Sequence, residues 1–166
     1  MPASSGAGAL TAAKALALLI PAALLAGAYG SQYLGGLAPC QMCYWQRWPH
    51  MVALAFALAA FLLARLPDRG RSFVWLAALA ILTSGAIGIW HVGVEAGFIP
   101  STCVSACEGT GDELMKCLMQ PRIPCDAIQF QFLGISMAGW NAIISIAGAL
   151  LILWLSLKRP RDRALA

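Results

Sequence analysis

The sequence is poor in charge. Only 11% of its 166 residues are Asp, Glu, Lys or Arg, against roughly 25% in an ordinary soluble domain. With 60% of residues hydrophobic, this excludes a disordered chain, a coiled coil and an average cytosolic enzyme. A strong net charge is lacking too. Eleven basic and seven acidic residues leave +4, too little to point to nucleic acid. There is no internal repeat, and no low-complexity linker beyond the start of the chain. The length fits one domain, taken as residues 1–166.

The missing charges leave four blocks of uncharged chain. They run between Lys14 and Arg47, between Arg47 and Arg65, between Arg71 and Glu95, and from Ala127 to Leu157. A helix needs about 20 mostly apolar residues to cross the hydrocarbon core. These blocks predict membrane spans near residues 15–34, 48–66, 72–94 and 135–157. None has the polar face that a helix of a soluble domain would need. The first block is longer than a signal-peptide core and carries only Lys14 as a strong flanking charge, so it is expected to remain as a helix. The fold class is therefore all-α: a four-helix membrane bundle with outer loops at 35–47 and 95–134.

Orientation follows from the basic residues. Arg65, Arg69 and Arg71 occupy the short loop, and Lys158, Arg159, Arg161 and Arg163 the tail. The positive-inside rule puts both on the cytoplasmic side, with both termini. All six cysteines, Cys40, Cys43, Cys103, Cys107, Cys117 and Cys125, then face outward. Disulfides persist outside a bacterial inner membrane or inside the endoplasmic reticulum. In the long loop, Asp112 is suited to cap a helix carrying Leu114, Met115, Leu118 and Met119 up to Pro121. Such a short amphipathic helix would lie on the membrane surface or pack on the bundle.

The first cysteine pair reads Pro39-Cys40-Gln41-Met42-Cys43, followed by Arg47. Pro39 suits a helix start. Cys40 and Cys43 would share the first turn, where the helix dipole favours a thiolate. Arg47, four residues on, stacks below Cys43. An arginine at the membrane edge needs an anion or a polar ligand. Three readings stay open: a redox pair, a static disulfide between the first two helices, and a metal site. Zinc would want a second pair or nearby histidines, and His50 lies two turns below Cys43 with no evident partner. His91, beside Trp90, is placed to hydrogen-bond a quinone carbonyl or carry its protons, or simply to face the interface. Trp45, Trp48, Trp90 and Trp140 suit an interfacial aromatic belt. A redox enzyme joining a soluble thiol protein to a membrane electron acceptor needs two relays, one reachable from water and one at the lipid edge. The two groups of cysteines offer that, unless the loop is stapled by inert disulfides.

Taken together, three motifs carry a resemblance. They are Pro39-Cys40-x-x-Cys43-x-x-x-Arg47, Trp90-His91-x-Gly93-x-Glu95, and Pro124-Cys125-Asp126 leading to the run Phe132–Asn141. They resemble the bacterial disulfide bond formation protein B (DsbB) family over about Ala13 to Leu157. The resemblance implies a four-helix membrane oxidase that reoxidises DsbA, a periplasmic thioredoxin-fold protein, and passes electrons to ubiquinone or menaquinone. It implies that Cys40 and Cys43 are the quinone-coupled pair, with Cys43 engaging the quinone and Arg47 stabilising that encounter. It makes Cys103 and Cys125 the exchange pair, with Cys103 attacked by the partner and Cys125 passing the exchange to Cys40. Gln32 matches a position lining the quinone pocket in some members. The family pattern has two loop cysteines and this chain has four. Cys107 could therefore replace Cys103, or Cys107 and Cys117 could form a separate disulfide. The competing expectations are a disulfide-stapled membrane scaffold and a vitamin-K-epoxide-reductase-like quinone oxidoreductase, whose C-x-x-C belongs near a late helix.

Overall fold

A computed structural model describes residues 6–101, 103, 110–112, 115 and 123–158. Four long helices dominate it: α1 (Gly6–Tyr33), α2 (Gln41–Leu62), α3 (Arg71–Glu95) and α4 (Met137–Leu157). The stretches Gly8–Tyr33, Arg71–Glu95 and Met137–Leu157 are each long and apolar enough to cross a membrane. Of comparable length, α2 carries Gln46, Arg47 and His50 in its first half. The helices pack in a ring, each against its chain neighbours, with α4 closing on α1. This is the four-helix, all-α membrane bundle that the charge-free blocks predict.

The boundaries differ from the expected ones for local reasons. The first helix begins at Gly6 rather than near residue 15, because the alanine-rich run before Lys14 has nothing to stop a helix. Lys14 is therefore not a flank. It lies buried inside α1, its Nζ 5.7 Å from the Phe61 ring centroid. The second helix starts at Gln41 and stops at Leu62, short of Leu66, since the residue before Pro67 resists helical geometry. A run of turns then leads to Gly70. Asp68 accepts hydrogen bonds from Gly70 N (3.0 Å), from Ser72 N (2.9 Å) and from the Ser72 hydroxyl. It thereby caps α3, and those bonds hold its carboxyl down at about 2.

The fourth expected span also loses its start. Ile135 and Ser136 pair with Gln131 and Phe132 in a small antiparallel hairpin, β1 (Gln131–Phe132) and β2 (Ile135–Ser136). Leu133 and Gly134 turn it with φ of 55° and 76°, the double positive-φ geometry favoured in two-residue hairpins. Ser136 then caps α4, its Oγ accepting from Gly139 N at 3.1 Å. Cys107, Cys117 and the amphipathic helix expected after Asp112 lie outside the described residues, Asp112 and Met115 excepted.

The core is built from small side chains. Ala13, Ala17, Ala53, Ala57, Ala77, Ala78 and Ala149 are fully buried around Ile81 and Ile152. On α3, a Cβ on Gly85 would come within 2.9 Å of Ile146, and one on Gly88 within 3.1 Å of the Ala138 carbonyl oxygen. Small residues let helix backbones approach closely, the usual way bundles pack where lipid removes any hydrophobic drive between helices. Large apolar residues such as Leu19, Leu79, Ile89 and Leu150 point outward. The described part of the long loop returns to the segment before α2, where Gln129 donates to the Ala38 carbonyl at 2.6 Å. This ties the loop to the segment that leads into Cys40.

Candidate active site

The site begins at the N-terminal end of α2. Cys40 is not in the first turn, as the motif suggested, but is the N-cap, with extended backbone (φ −76°, ψ 172°). Its Sγ accepts from Cys43 N at 3.2 Å, standing in for the usual serine or aspartate oxygen. The two sulfurs lie 2.8 Å apart. Both cysteines precede the apolar part of α2, which begins at Trp48. The hydrogen bond from Cys40 holds the Cys43 thiol down to about 7, aided by the positive charge of Arg47 and opposed by burial. The same contact, with burial, pushes Cys40 well above an ordinary thiol. Cys43 is thus the thiolate of the pair and Cys40 the thiol that supports it.

The second pair is a disulfide. Cys103 and Cys125 are bonded, with their Cα atoms 6.0 Å apart. Cys125 is fully buried and packs with Cys40, Met42 and Val94, while Cys43 and Cys103 flank the same cluster. One sulfur of each pair meets at His91, near the end of α3. The Sγ atoms of Cys40 and Cys125 and a ring nitrogen of His91 all lie within 4.8 Å of one another. His91 Nε2 is 3.1 Å from the Cys125 carbonyl oxygen and 3.6 Å from Cys40 Sγ. Glu95, one turn on, places a carboxylate oxygen 3.8 Å from the same nitrogen, and its other oxygen accepts from Ser136 Oγ at 2.5 Å. A zinc ion would need both sulfurs as free thiolates. Cys125 is already bonded to Cys103, so the cluster suits disulfide exchange better than metal.

Arg47 is buried, yet its guanidinium does not bond to Cys43. It donates to Gln32 Oε1 at 2.5 Å and to the Ala28 carbonyl at 3.1 Å, both on α1. Tyr29 and Tyr44 flank it, their ring centroids 4.7 and 5.2 Å away. The charge is thereby fixed at the edge of a cavity of about 230 Å³ that Cys43, Arg47 and His91 line. Gln32 is absent from that lining and instead holds Arg47 in place. The remaining walls are mostly apolar, from Leu24 and Ala28 of α1 to Met137 and Ala138 of α4. A dry cavity of roughly 150 Å³ holds a benzene ring, so this one suits a substituted ring. Donors at one edge and apolar walls elsewhere fit a quinone head group. Trp140, expected in an aromatic belt, lines the cavity too and donates to the Phe132 carbonyl at 3.0 Å.

Residues the motifs left idle complete the site. Gln46 Nε2 donates to His91 Nδ1 at 2.8 Å, which leaves Nε2 as the protonated nitrogen of the neutral ring. Gln46 Oε1 accepts from Asn141 Nδ2 at 2.8 Å. His50, which showed no partner in the sequence, has two: its Nε2 lies 2.9 Å from both Asn141 Oδ1 and Ser84 Oγ. A polar thread therefore runs from Cys40 through His91, Gln46 and Asn141 to His50 and Ser84. The one sequence signal was the spacing of Gln46 and His50, four apart on a helix otherwise rich in alanine and aromatics.

Residues 11–155 match the protein family described as Disulfide bond formation protein DsbB. A disulfide bond formation protein B of Marinobacter nauticus is 31% identical over 160 residues, covering 89% of this chain and 93% of that protein. One from Chromobacterium violaceum is 31% identical over 159 residues, covering 86% and 93%. An uncharacterised protein of Rickettsia prowazekii, RP370, is 28% identical over 145 residues, covering 83% and 82%. No solved structure matches the chain.

Proposed function

This chain belongs to the DsbB family of disulfide bond formation proteins, and from that premise we propose that its two cysteine pairs form one relay between a soluble dithiol and a quinone. The family comprises quinone-dependent, disulfide-generating oxidoreductases, and this chain is a multi-pass membrane enzyme of that kind. One observation carries the proposed order of the relay: Cys40 and Cys125, one sulfur from each pair, stand within 4.8 Å of each other beside His91.

The steps balance as thiol–disulfide exchanges. A thiolate of the partner attacks Cys103, forming a mixed disulfide and releasing Cys125 as thiolate. Cys125 attacks Cys40 of the Cys40–Cys43 disulfide, and Cys43 leaves as the stabilised thiolate. The partner's second thiolate attacks its own mixed-disulfide sulfur, so the partner departs oxidised and Cys103 is freed. Cys103 then attacks Cys125, re-forming their disulfide and releasing Cys40 as a thiol. Two electrons now reside on Cys40 and Cys43.

A bound quinone would supply the sink for two electrons and two protons. Cys43 lines the cavity and carries the thiolate. Arg47, held by Gln32 and the Ala28 carbonyl, places a fixed positive charge at the same cavity. His91 lines the cavity and presents Nε2–H toward Cys40, a donor placed to stabilise negative charge on that sulfur as the pair is oxidised. The proposed partner is a DsbA-like thioredoxin-fold protein. The proposed location is a bacterial inner membrane, with the cysteine loops periplasmic and the basic loop and both termini cytoplasmic. Ubiquinone and menaquinone are the two candidate acceptors.

The test is quinol formation by purified, detergent-solubilised protein supplied with a reduced DsbA-like donor, with Cys43→Ser as control. Turnover that depends on Cys43 supports the relay. Folded protein that turns over neither ubiquinone nor menaquinone would favour a disulfide-stapled scaffold instead.

A further inference from the structure

The hairpin that joins the long loop to α4 exposes a row of apolar side chains. Phe130, Phe132 and Leu133 are 50%, 57% and 78% exposed, and no charged residue stands between Asp126 and Lys158. Leu133 forms the turn at φ 55°. Leucine is strained in that conformation, which hairpin turns usually give to glycine or asparagine. Left in water, its side chain gains nothing that offsets the strain. Exposed apolar patches of this kind mark a contact with protein or with membrane.

The length of α4 decides between the two. Its 21 residues extend about 31 Å, and the hydrocarbon core is about 30 Å thick. The helix spans that core with no length to spare, so Met137 stands at one boundary and Leu157 at the other. Lys158 follows Leu157 directly, its Nζ 3.5 Å from the Trp154 ring centroid, the aromatic and basic pairing of a membrane interface. The hairpin ends directly before Met137. Each of its strands is two residues long, a reach of roughly 7 Å. The headgroup layer is about 5–8 Å deep, so the tip stays within it whichever way the hairpin leans. Trp140 ties the tip to the helix. Its Nε1 donates to the Phe132 carbonyl at 3.0 Å, and the two ring centroids are 6.2 Å apart. We propose that Phe132 and Leu133 anchor the hairpin in the bilayer, at the boundary of headgroups and acyl chains where α4 enters. The occupant of this face is lipid and not the soluble partner. The anchored segment lines the cavity on both sides, with Gln129 before the hairpin and Met137 and Trp140 after it. The anchor therefore also sets the depth of that cavity wall in the membrane, and it is independent of what the cavity binds.

The experiment puts a photo-crosslinking residue, p-benzoylphenylalanine, at the tip. Leu133→p-benzoylphenylalanine and Phe132→p-benzoylphenylalanine are made separately in the full-length chain. Each is placed in nanodiscs of dioleoylphosphatidylcholine, with a reduced DsbA-like donor in the surrounding solution. Nanodiscs leave both faces of the membrane open to the donor. Leu150→p-benzoylphenylalanine, on the exposed side of α4 and well inside its length, is the lipid benchmark. After illumination, intact mass and peptide mapping show what each position touched. The expected main product at both tip positions is a mass gain of one phosphatidylcholine, as at Leu150. A main product that carries the donor, that is crosslinked within the chain, or that carries nothing while Leu150 takes lipid overturns the anchor. If one tip variant fails to fold, the other decides.

Discussion

Replacing Cys40 with alanine should raise the Cys43 pKa by more than replacing Arg47 does. The Cys40 hydrogen bond is the largest cause of the drop at Cys43 from 9.0 to about 7, with the Arg47 charge a smaller one. At pH 7 a thiol of pKa 7 is about half ionised and one of pKa 9 about 1% ionised, a roughly 50-fold loss of thiolate. The rarer thiolate is intrinsically more nucleophilic. With a Brønsted slope of about 0.4–0.5, two units of basicity return roughly six- to tenfold in rate. Cys40→Ala should therefore slow exchange of Cys43 with a small uncharged disulfide reagent by about five- to eightfold at pH 7. Above about pH 10, where both forms are ionised, the variant should be faster than the native chain by about six- to tenfold. The assay is a rate–pH profile with the modified cysteine mapped by mass spectrometry and Cys103–Cys125 left oxidised. An apparent pKa that stays near 7 in Cys40→Ala but rises by two units in Arg47→Ala would refute this, and would assign the thiolate to the guanidinium.

Other outcomes can be stated briefly. Arg47→Ala should raise the quinone KM by about tenfold, the worth of one charge-assisted contact, while partner-driven exchange at Cys103–Cys125 keeps its rate; an unchanged KM would remove Arg47 from the quinone site. Gln32→Ala should shift the same KM less, since Gln32 touches the guanidinium and not the cavity. Gly70→Ala should lower stability by about 2 kcal/mol, because Gly70 has φ +78° and a Cβ there would strike the Ala60 carbonyl oxygen. A denaturation midpoint in detergent reads this, and a loss below about 0.5 kcal/mol would contradict it. Ser136→Ala removes the α4 cap and the partner of Glu95, and should cost about 1–2 kcal/mol in the same measurement.

Much of this architecture was legible in the sequence because membrane spans are written in one-dimensional terms. Charge-free blocks located all four helices. The ends were less legible. Pro67 stops α2 early and the hairpin at Gln131–Ser136 delays α4, both through backbone geometry over two or three residues. Leu133 at φ 55° gives no sign of itself, since leucine is not a turn residue. The cysteines announced the chemistry, and their resemblance to a family supplied the pairing. Spacing alone could not bring Cys40 to Cys125, which the fold places beside His91. His50 was misread because both its partners come from other helices, Ser84 on α3 and Asn141 on α4. Gln46 was passed over because the neighbouring Arg47 carried the formal charge. A polar residue in a membrane helix has a meaning that only its neighbours reveal.

The polar thread also bears on how the bundle assembles. Helices already inserted in lipid gain little from hiding apolar surface against each other, since the hydrocarbon is equally apolar. An alanine seam permits many rotations of one helix against the next. The thread permits few. Gln46 and His50 must turn toward His91 and Ser84, and Asn141 must turn toward Gln46, His50 and Ser84, or each enters hydrocarbon with its hydrogen bonds unmet. Three helices thus carry complementary addresses, which select a single rotational setting from many sterically acceptable ones. The residues that surround the reacting sulfurs also tell the helices how to find one another.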